Sequence, residues 1–196
     1  MYKLVFKRLL DIIFSIFALF LLSPLLLIIY IIVKTDSKGP FLFKQIRTGK
    51  DLKKFRIYKV RTMSNQAGID ANNKNLEYIT TSVNDTRITK PGIKLRKYHI
   101  DEIPQFINVL MGDMSIIGPR PDAPTQEKDY SPSFWIKRHA VKPGISGLSQ
   151  IKVNGLSSVM RRNKYDLFYA ECKYKLKLDI YIYAGTFLKV FRGNSF

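Results

Sequence analysis

From Ile12 to Val33 the chain reads IIFSIFALFLLSPLLLIIYIIV, about 22 residues without a charged side chain. A helix of that length rises ~33 Å, close to the thickness of a bilayer's hydrocarbon core. Helices of water-soluble domains keep a polar face, and this segment has none. The N-terminal part of the chain is therefore expected in lipid, and the rest must fold against a membrane surface. A secretory leader would end sooner, at small residues, whereas Lys34, Thr35 and Asp36 follow directly, so cleavage is not expected.

Cations flank the segment on both sides: Lys3, Lys7 and Arg8 precede it, and Lys34, Lys38, Lys44 and Arg47 follow it. The positive-inside rule draws both ends toward the cytoplasm. Pro24, mid-segment, lacks a backbone donor, and Ser23 beside it can bond a carbonyl so freed. A kinked helix that enters and leaves one leaflet accommodates both features. An ordinary kinked spanning helix accommodates the proline alone. Residues 1–36 are read as a membrane anchor and 37–196 as one catalytic-sized domain, since 196 residues leave room for a single core.

Beyond the anchor, Phe41 to Ile46 and Phe55 to Val60 are short β-type runs separated by Thr48, Gly49, Lys50 and Asp51, which predicts a hairpin. Ser64 to Asp85 is polar and reads as a loop or weak surface helix. From Asp101, the residues Ile103, Phe106, Ile107 and Leu110 recur at helical spacing, with Pro104 in the first turn, Gly112 at the end and Asp101 at or near the N-cap. GPRPDAP is too rich in proline for a helix and reads as a stiff loop that fixes Arg120. Arg161 to Lys175 and LDIYIYAGTFLKVF read as helices, the latter either lying against the bilayer or packed in the core. The predicted fold is α/β of the α+β kind, mainly helical: a membrane helix with a Ser-Pro break, a small hairpin, and amphipathic helices at the interface around a cytoplasmic core.

The formal net charge of +18 requires anionic surroundings such as nucleic acid, anionic lipid or phosphorylated substrate. No recognised nucleic-acid module is present, although Tyr and Phe are interleaved with Lys. Cys172 is the only cysteine, which excludes an intramolecular disulfide and a structural zinc site built on thiolates, and fits a reducing compartment.

Asp101 and Glu102 are adjacent acids in a chain that has few. Near a helix start they meet free amide donors and partial positive charge. Neighbouring helical residues diverge by about 100°, so one carboxylate can attack while the other binds metal or moves a proton. The same pair can also be simple capping. Arg96, Arg120, Lys59 and Arg61 taken singly read as surface cations.

Read in order, KRLLDIIFSIFALFLLSPLLLIIYIIVK, GPFLFKQIRTG, FRIYKVRTM, LRKYHIDEIPQFINVLMGDMSIIGPRP and KPGISGLSQ resemble the bacterial sugar transferase family, the monotopic phosphoglycosyl transferases, from Lys7 to about Thr186. The chain resembles the small form of that family, without the spanning helices and extra domain of larger members. The resemblance implies a helix that re-enters the cytoplasmic face of the bacterial inner membrane at Ser23 and Pro24, with both termini cytoplasmic. It implies transfer of a sugar phosphate from a UDP-sugar to undecaprenyl phosphate, with release of UMP and magnesium as cofactor, at the first membrane step of O-antigen, capsule, exopolysaccharide or glycoprotein glycan synthesis.

On matching positions, the resemblance makes Asp101 the nucleophile that forms a covalent phospho-sugar, and gives Glu102 a part in holding magnesium or assisting the lipid phosphate. It makes Arg96 and Arg120, the latter braced by Pro119 and Pro121, substrate-binding residues. Lys59 and Arg61 match a basic motif expected to support phosphate or the carboxylates. Asp166, with Arg162 before it, matches a later family acid whose role is metal, nucleotide or structural. Leu156 stands where the family often has arginine. His99, His139 and Trp135 are expected to be structural, surface or interfacial. A homodimer is a reasonable assembly, and the sugar is not encoded by any of these motifs. The expected partners are the UDP-sugar, the polyprenyl phosphate and membrane lipid, not nucleic acid. A scaffold that binds partners without turnover is the other reading, against which the intact Asp101, Glu102, Arg96 and Arg120 argue.

Overall fold

The computed structural model describes residues 4–64, 85–153, 159–173 and 175–191. The polar stretch at 65–84 and Leu156 lie outside them. The apolar segment forms α1 (Leu4–Asp36), a 33-residue helix about 50 Å long that continues through Pro24. Residue 24 has no N–H to give to the carbonyl of Phe20, and the Ser23 hydroxyl donates to that oxygen instead, at 2.8 Å. The helix is long and apolar enough to cross a membrane. Its middle exposes large side chains, Phe20 by 78% and Leu27 by 63%.

Both ends of α1 are seated on the same folded body. At the N-terminal end, Lys7 pairs with Asp179 at 2.8 Å, Arg8 donates to the carbonyl of Leu110 at 2.8 Å, and buried Asp11 accepts from the backbone N–H of Ile116 at 3.1 Å. At the other end, Ile29 and Val33 pack against Val60 and Leu95. Charged groups so close to an apolar helix are tolerated because each is partnered.

The hairpin forms as the sequence predicts: β1 (Leu42–Thr48) pairs antiparallel with β2 (Lys54–Val60), Leu42 opposite Val60 and Thr48 opposite Lys54. A 3₁₀ turn, Lys50–Leu52, joins them, with Asp51 in the left-handed region at φ 54°. Alternation along β2 buries Phe55 and Ile57 in the main core with Val109, Met114, Ile117, Leu148, Tyr169 and Ile182.

After β2 come α2 (Lys90–Lys97), capped by the Thr89 hydroxyl accepting from the Gly92 N–H, and α3 (Gln105–Met111), closed by Gly112 at φ 90°. The helix predicted to start at Asp101 begins later. Ile100–Glu102 is a 3₁₀ turn in which the N–H of Glu102 reaches His99 O and that of Ile103 reaches Ile100 O. Pro104 has no N–H to carry an α-helical ladder back across this point, so the acidic pair lies in a tighter turn ahead of α3.

Next, β3 (Ser115–Ile117) runs parallel to β4 (Gly144–Ser146). Their ends meet where Gly118 faces Gly144: a Cβ on Gly118 would lie 2.3 Å from Lys142 O, and one on Gly144 would lie 2.1 Å from Gly118 N. Only glycine allows this approach. Four further helices complete the body: α4 (Pro132–Arg138), α5 (Leu148–Lys152), α6 (Val159–Glu171) and α7 (Lys175–Phe191). The last two expose Met160, Phe168, Ile180 and Phe187 while α7 buries Asp179 and Ile182, so α7 is both amphipathic and part of the core.

Candidate active site

The turn that carries the acidic pair is entered through His99, a non-glycine residue in the left-handed region at φ 54°. It brings both carboxylates inward, Asp101 7% and Glu102 9% exposed. Lys59, from β2, places Nζ 2.6 Å from Glu102 Oε1, and Arg120 places Nη2 3.4 Å from the same oxygen. A cleft opens here, lined by Glu102, Lys59, Arg47, Gln105, Arg120 and Gln150. Asp101 precedes Glu102 in the turn and does not itself line the cleft.

The two acids differ in character. Burial works against ionisation of Glu102, but the charges of Lys59 and then Arg120, with the Lys59 hydrogen bond, hold its carboxyl down at about 2. Burial pushes the Asp101 carboxyl up to about 6, with Lys59 opposing and the Glu102 charge adding to the rise. No described side chain hydrogen-bonds the Asp101 carboxylate, so it is the more basic and less encumbered of the pair. Burial lowers the His99 imidazole, with the Glu102 charge opposing.

Arg96 sits near the end of α2, donates from Nε to the Thr62 hydroxyl at 2.8 Å, and is one of the cations that counter the rise of Asp101. Arg120 projects from a backbone held at nearly every residue. Pro119 O accepts from Gly144 N at 2.9 Å, Asp122 O accepts from Thr48 N at 2.9 Å, and Arg120 O accepts from Arg138 Nη2 at 3.0 Å. The side chain itself is about half exposed, 48%, beside Glu102.

Three of the sequence candidates lie elsewhere. Arg61 is buried and donates to the carbonyls of Lys38, Ser37 and Val33, so it caps the exit of α1 instead of supporting the carboxylates. Strand alternation would keep Lys59 and Arg61 on one face, but β2 ends at Val60, and beyond it the Arg61 side chain turns to the exit of α1. Asp166 is buried against Arg138, its Oδ2 2.8 Å from Nη2, which supports the structural reading of that acid. Arg162 is exposed on α6. His139 and Trp135 are buried against each other, with ring centroids 4.1 Å apart, and the His139 Nδ1 lies 2.8 Å from Trp135 O.

Sequence reasoning missed Arg138, Asp122 and Asn108. Asn108 is fully buried, accepts from Tyr58 N and donates to Arg56 O, tying α3 to β2. Its signal was a polar residue amid the apolar positions of a short helix. Arg138 had none, because WIKRH looks like any basic helix end.

The two carboxylates of the turn fit magnesium, which takes one or two carboxylates and draws its remaining oxygens from substrate phosphates and water. Among the described residues, no group of three or more His, Cys, Asp or Glu side chains is arranged to hold a metal by itself.

The profile of the bacterial sugar transferase family matches residues 2–193. The chain is 43% identical over 198 residues to the UDP-glucose:undecaprenyl-phosphate glucose-1-phosphate transferase of Klebsiella pneumoniae, covering 97% of this chain and 40% of that protein. It is 38% identical over 196 residues to the UDP-N-acetylgalactosamine-undecaprenyl-phosphate N-acetylgalactosaminephosphotransferase of Aeromonas hydrophila, covering 95% and 44%. A third relative, the exopolysaccharide production protein PSS of Rhizobium leguminosarum bv. phaseoli, is 36% identical over 209 residues, covering 98% and 99%. The chain thus spans about two fifths of the first two relatives and nearly all of the third. It belongs to the bacterial sugar transferase family.

Proposed function

We propose that this member of the bacterial sugar transferase family moves a sugar-1-phosphate from a UDP-sugar to undecaprenyl phosphate and releases UMP, through a covalent intermediate on Asp101. The observation that carries the reading is the division between the two acids: Glu102 is locked as an anion by Lys59 and Arg120, while Asp101 is buried, basic for a carboxylate and, among the described side chains, without a hydrogen bond to its carboxylate. A carboxylate of that kind is the better nucleophile, and the neighbouring cations offset the charge of the incoming diphosphate.

An Asp101 oxygen attacks the sugar-linked phosphorus, and the bond from that phosphorus to the bridging oxygen breaks, so UMP leaves with the electron pair. A phosphate oxygen of the polyprenyl acceptor then attacks the same phosphorus, and the bond to Asp101 breaks, which restores the carboxylate. Arg120, on its fixed loop, and Lys59 orient the diphosphate. Asp101 and Glu102 would hold magnesium, which neutralises phosphate charge and polarises the phosphorus when bound.

The seating of both ends of α1 on one body supports a helix that returns to the face it entered, with Ser23 and Pro24 at the deep point and the catalytic part on the cytoplasmic side of the inner membrane. The sugar stays open, since relatives of similar identity are named for glucose and for N-acetylgalactosamine.

The test is UMP release from a panel of UDP-sugars with undecaprenyl phosphate and magnesium in nanodiscs. At least one donor is expected to turn over and, without acceptor, to leave a phospho-sugar on the Asp101 peptide by mass spectrometry. Turnover by Asp101→Asn at the wild-type rate would sink the nucleophile assignment.

A further inference from the structure

We infer that Arg138 is a positioning residue for Arg120, acting from behind the GPRP loop without touching substrate. The inference rests on the reading of Arg120 as the phosphate-orienting cation.

The Arg138 guanidinium is 4% exposed. It donates to Asp122 from Nη1, to Asp166 from Nε at 3.3 Å and Nη2 at 2.8 Å, and to the backbone carbonyl of Arg120 from Nη2 at 3.0 Å. One side chain thus fastens the main chain at Arg120 and the side chain two residues later, and is itself held by α6 through Asp166. The loop is also attached by backbone bonds at Gly118, Pro119 and Asp122, and by a longer bond from Arg47 Nη1 to the Pro121 carbonyl at 3.4 Å. Arg138 is the buried side chain that bonds the Arg120 carbonyl itself, where Arg47 reaches the next one.

A planar fork that serves two carboxylates and a carbonyl at once cannot be reproduced by lysine, whose single ammonium reaches one or two of them. Loss of the fork frees the peptide at Arg120 to rotate, and its half-exposed guanidinium then leaves the oxygen it faces on Glu102. Displacement of an orienting group by about 1 Å lowers turnover by on the order of 100-fold. The network also gives Asp166 a part, since its Oδ2 accepts from both Nε and Nη2 of Arg138 and so orders it. His139 borders it, with Nε2 3.7 Å from Asp122, and is held neutral because burial lowers it to about 4.

The test is a double-mutant cycle on the full chain in nanodiscs with Arg138→Lys, Arg120→Ala and the double variant. It reads kcat/KM for UMP release and, separately, the Kd of UDP by calorimetry. If Arg138 acts through Arg120, Arg138→Lys costs on the order of 100-fold in kcat/KM in the wild-type background and less than about threefold when Arg120 is already alanine. Its effect on UDP affinity should vanish in that background too. Losses that multiply in both readouts overturn the inference. If Arg138→Lys does not melt cooperatively, Asp166→Asn replaces it, retains the Asp122 and Arg120 contacts, and is judged by the same rule. A wild type that binds UDP but turns over no donor counts against the transferase reading, and the UDP cycle still decides the role of Arg138.

Discussion

The Lys59 ammonium lies 2.6 Å from Oε1 of Glu102, and both groups are mostly withdrawn from water, at 20% and 11% side-chain exposure. The pair fixes one acid of the turn as a permanent anion and also supplies the foremost cation acting on the other, Asp101.

Removing that cation while keeping the bulk, as in Lys59→Met, is expected to shift the acid limb of activity. Asp101 must be ionised to attack, so wild-type kcat/KM falls as pH drops through about 6. Without Lys59 the carboxyl rises further, the limb moves to higher pH, and activity near neutrality drops by about tenfold or more. A pH profile of UMP release from about pH 5 to about pH 8.5 checks this; an unmoved limb contradicts it.

Asp101→Asn should separate stability from activity. The carboxyl titrates at about 6 in the fold against its usual 3.8, so the folded state binds the proton more tightly and loses stability as pH rises between those values. At neutral pH the buried anion destabilises by up to about 3 kcal/mol. The variant is expected to gain about 1–3 kcal/mol in thermal unfolding in detergent with EDTA while losing turnover. The gain should disappear near pH 4, where the wild-type residue is protonated in the fold.

Arg61→Ala is expected to be a stability variant. It strips a buried donor from three carbonyls at the exit of α1 and should cost about 2–4 kcal/mol. The KM for UDP-sugar of the remaining folded protein should stay within about twofold of wild type, since the guanidinium faces away from the acidic pair. A large rise in KM with unchanged melting would place it at the substrate after all.

Pro24→Ala restores the donor that Phe20 O lacks and frees the Ser23 hydroxyl from that bond. The helix should straighten, and a share of molecules is expected to carry the N-terminus across the membrane. Protease protection of an N-terminal tag in sealed spheroplasts and inverted vesicles reports this. Identical protection of variant and wild type argues that the proline does not decide topology.

Much of this architecture was readable in order along the chain. The long apolar helix α1 follows from an uncharged run, because a helix with no polar face must be buried in a core or in lipid. The hairpin follows from alternation broken by Gly49, and the end of α3 from Gly112, because those signals act within a few residues. The acidic pair was legible as a candidate site through its company and its family resemblance.

The partners of these groups were not legible. Lys59 and Glu102, Arg138 and Asp166, and Asp11 and Ile116 lie 43, 28 and 105 residues apart, and nothing local marks one as the mate of the other. Arg61 shows the same limit from the other side, since a motif set it beside Lys59 and the end of one strand sent it to the exit of α1. The character of each segment could be read locally, since periodicity, proline and glycine act through the backbone nearby. Which acid is basic and which is pinned came from the folded packing, because burial and the distance to a cation arise between segments remote in sequence.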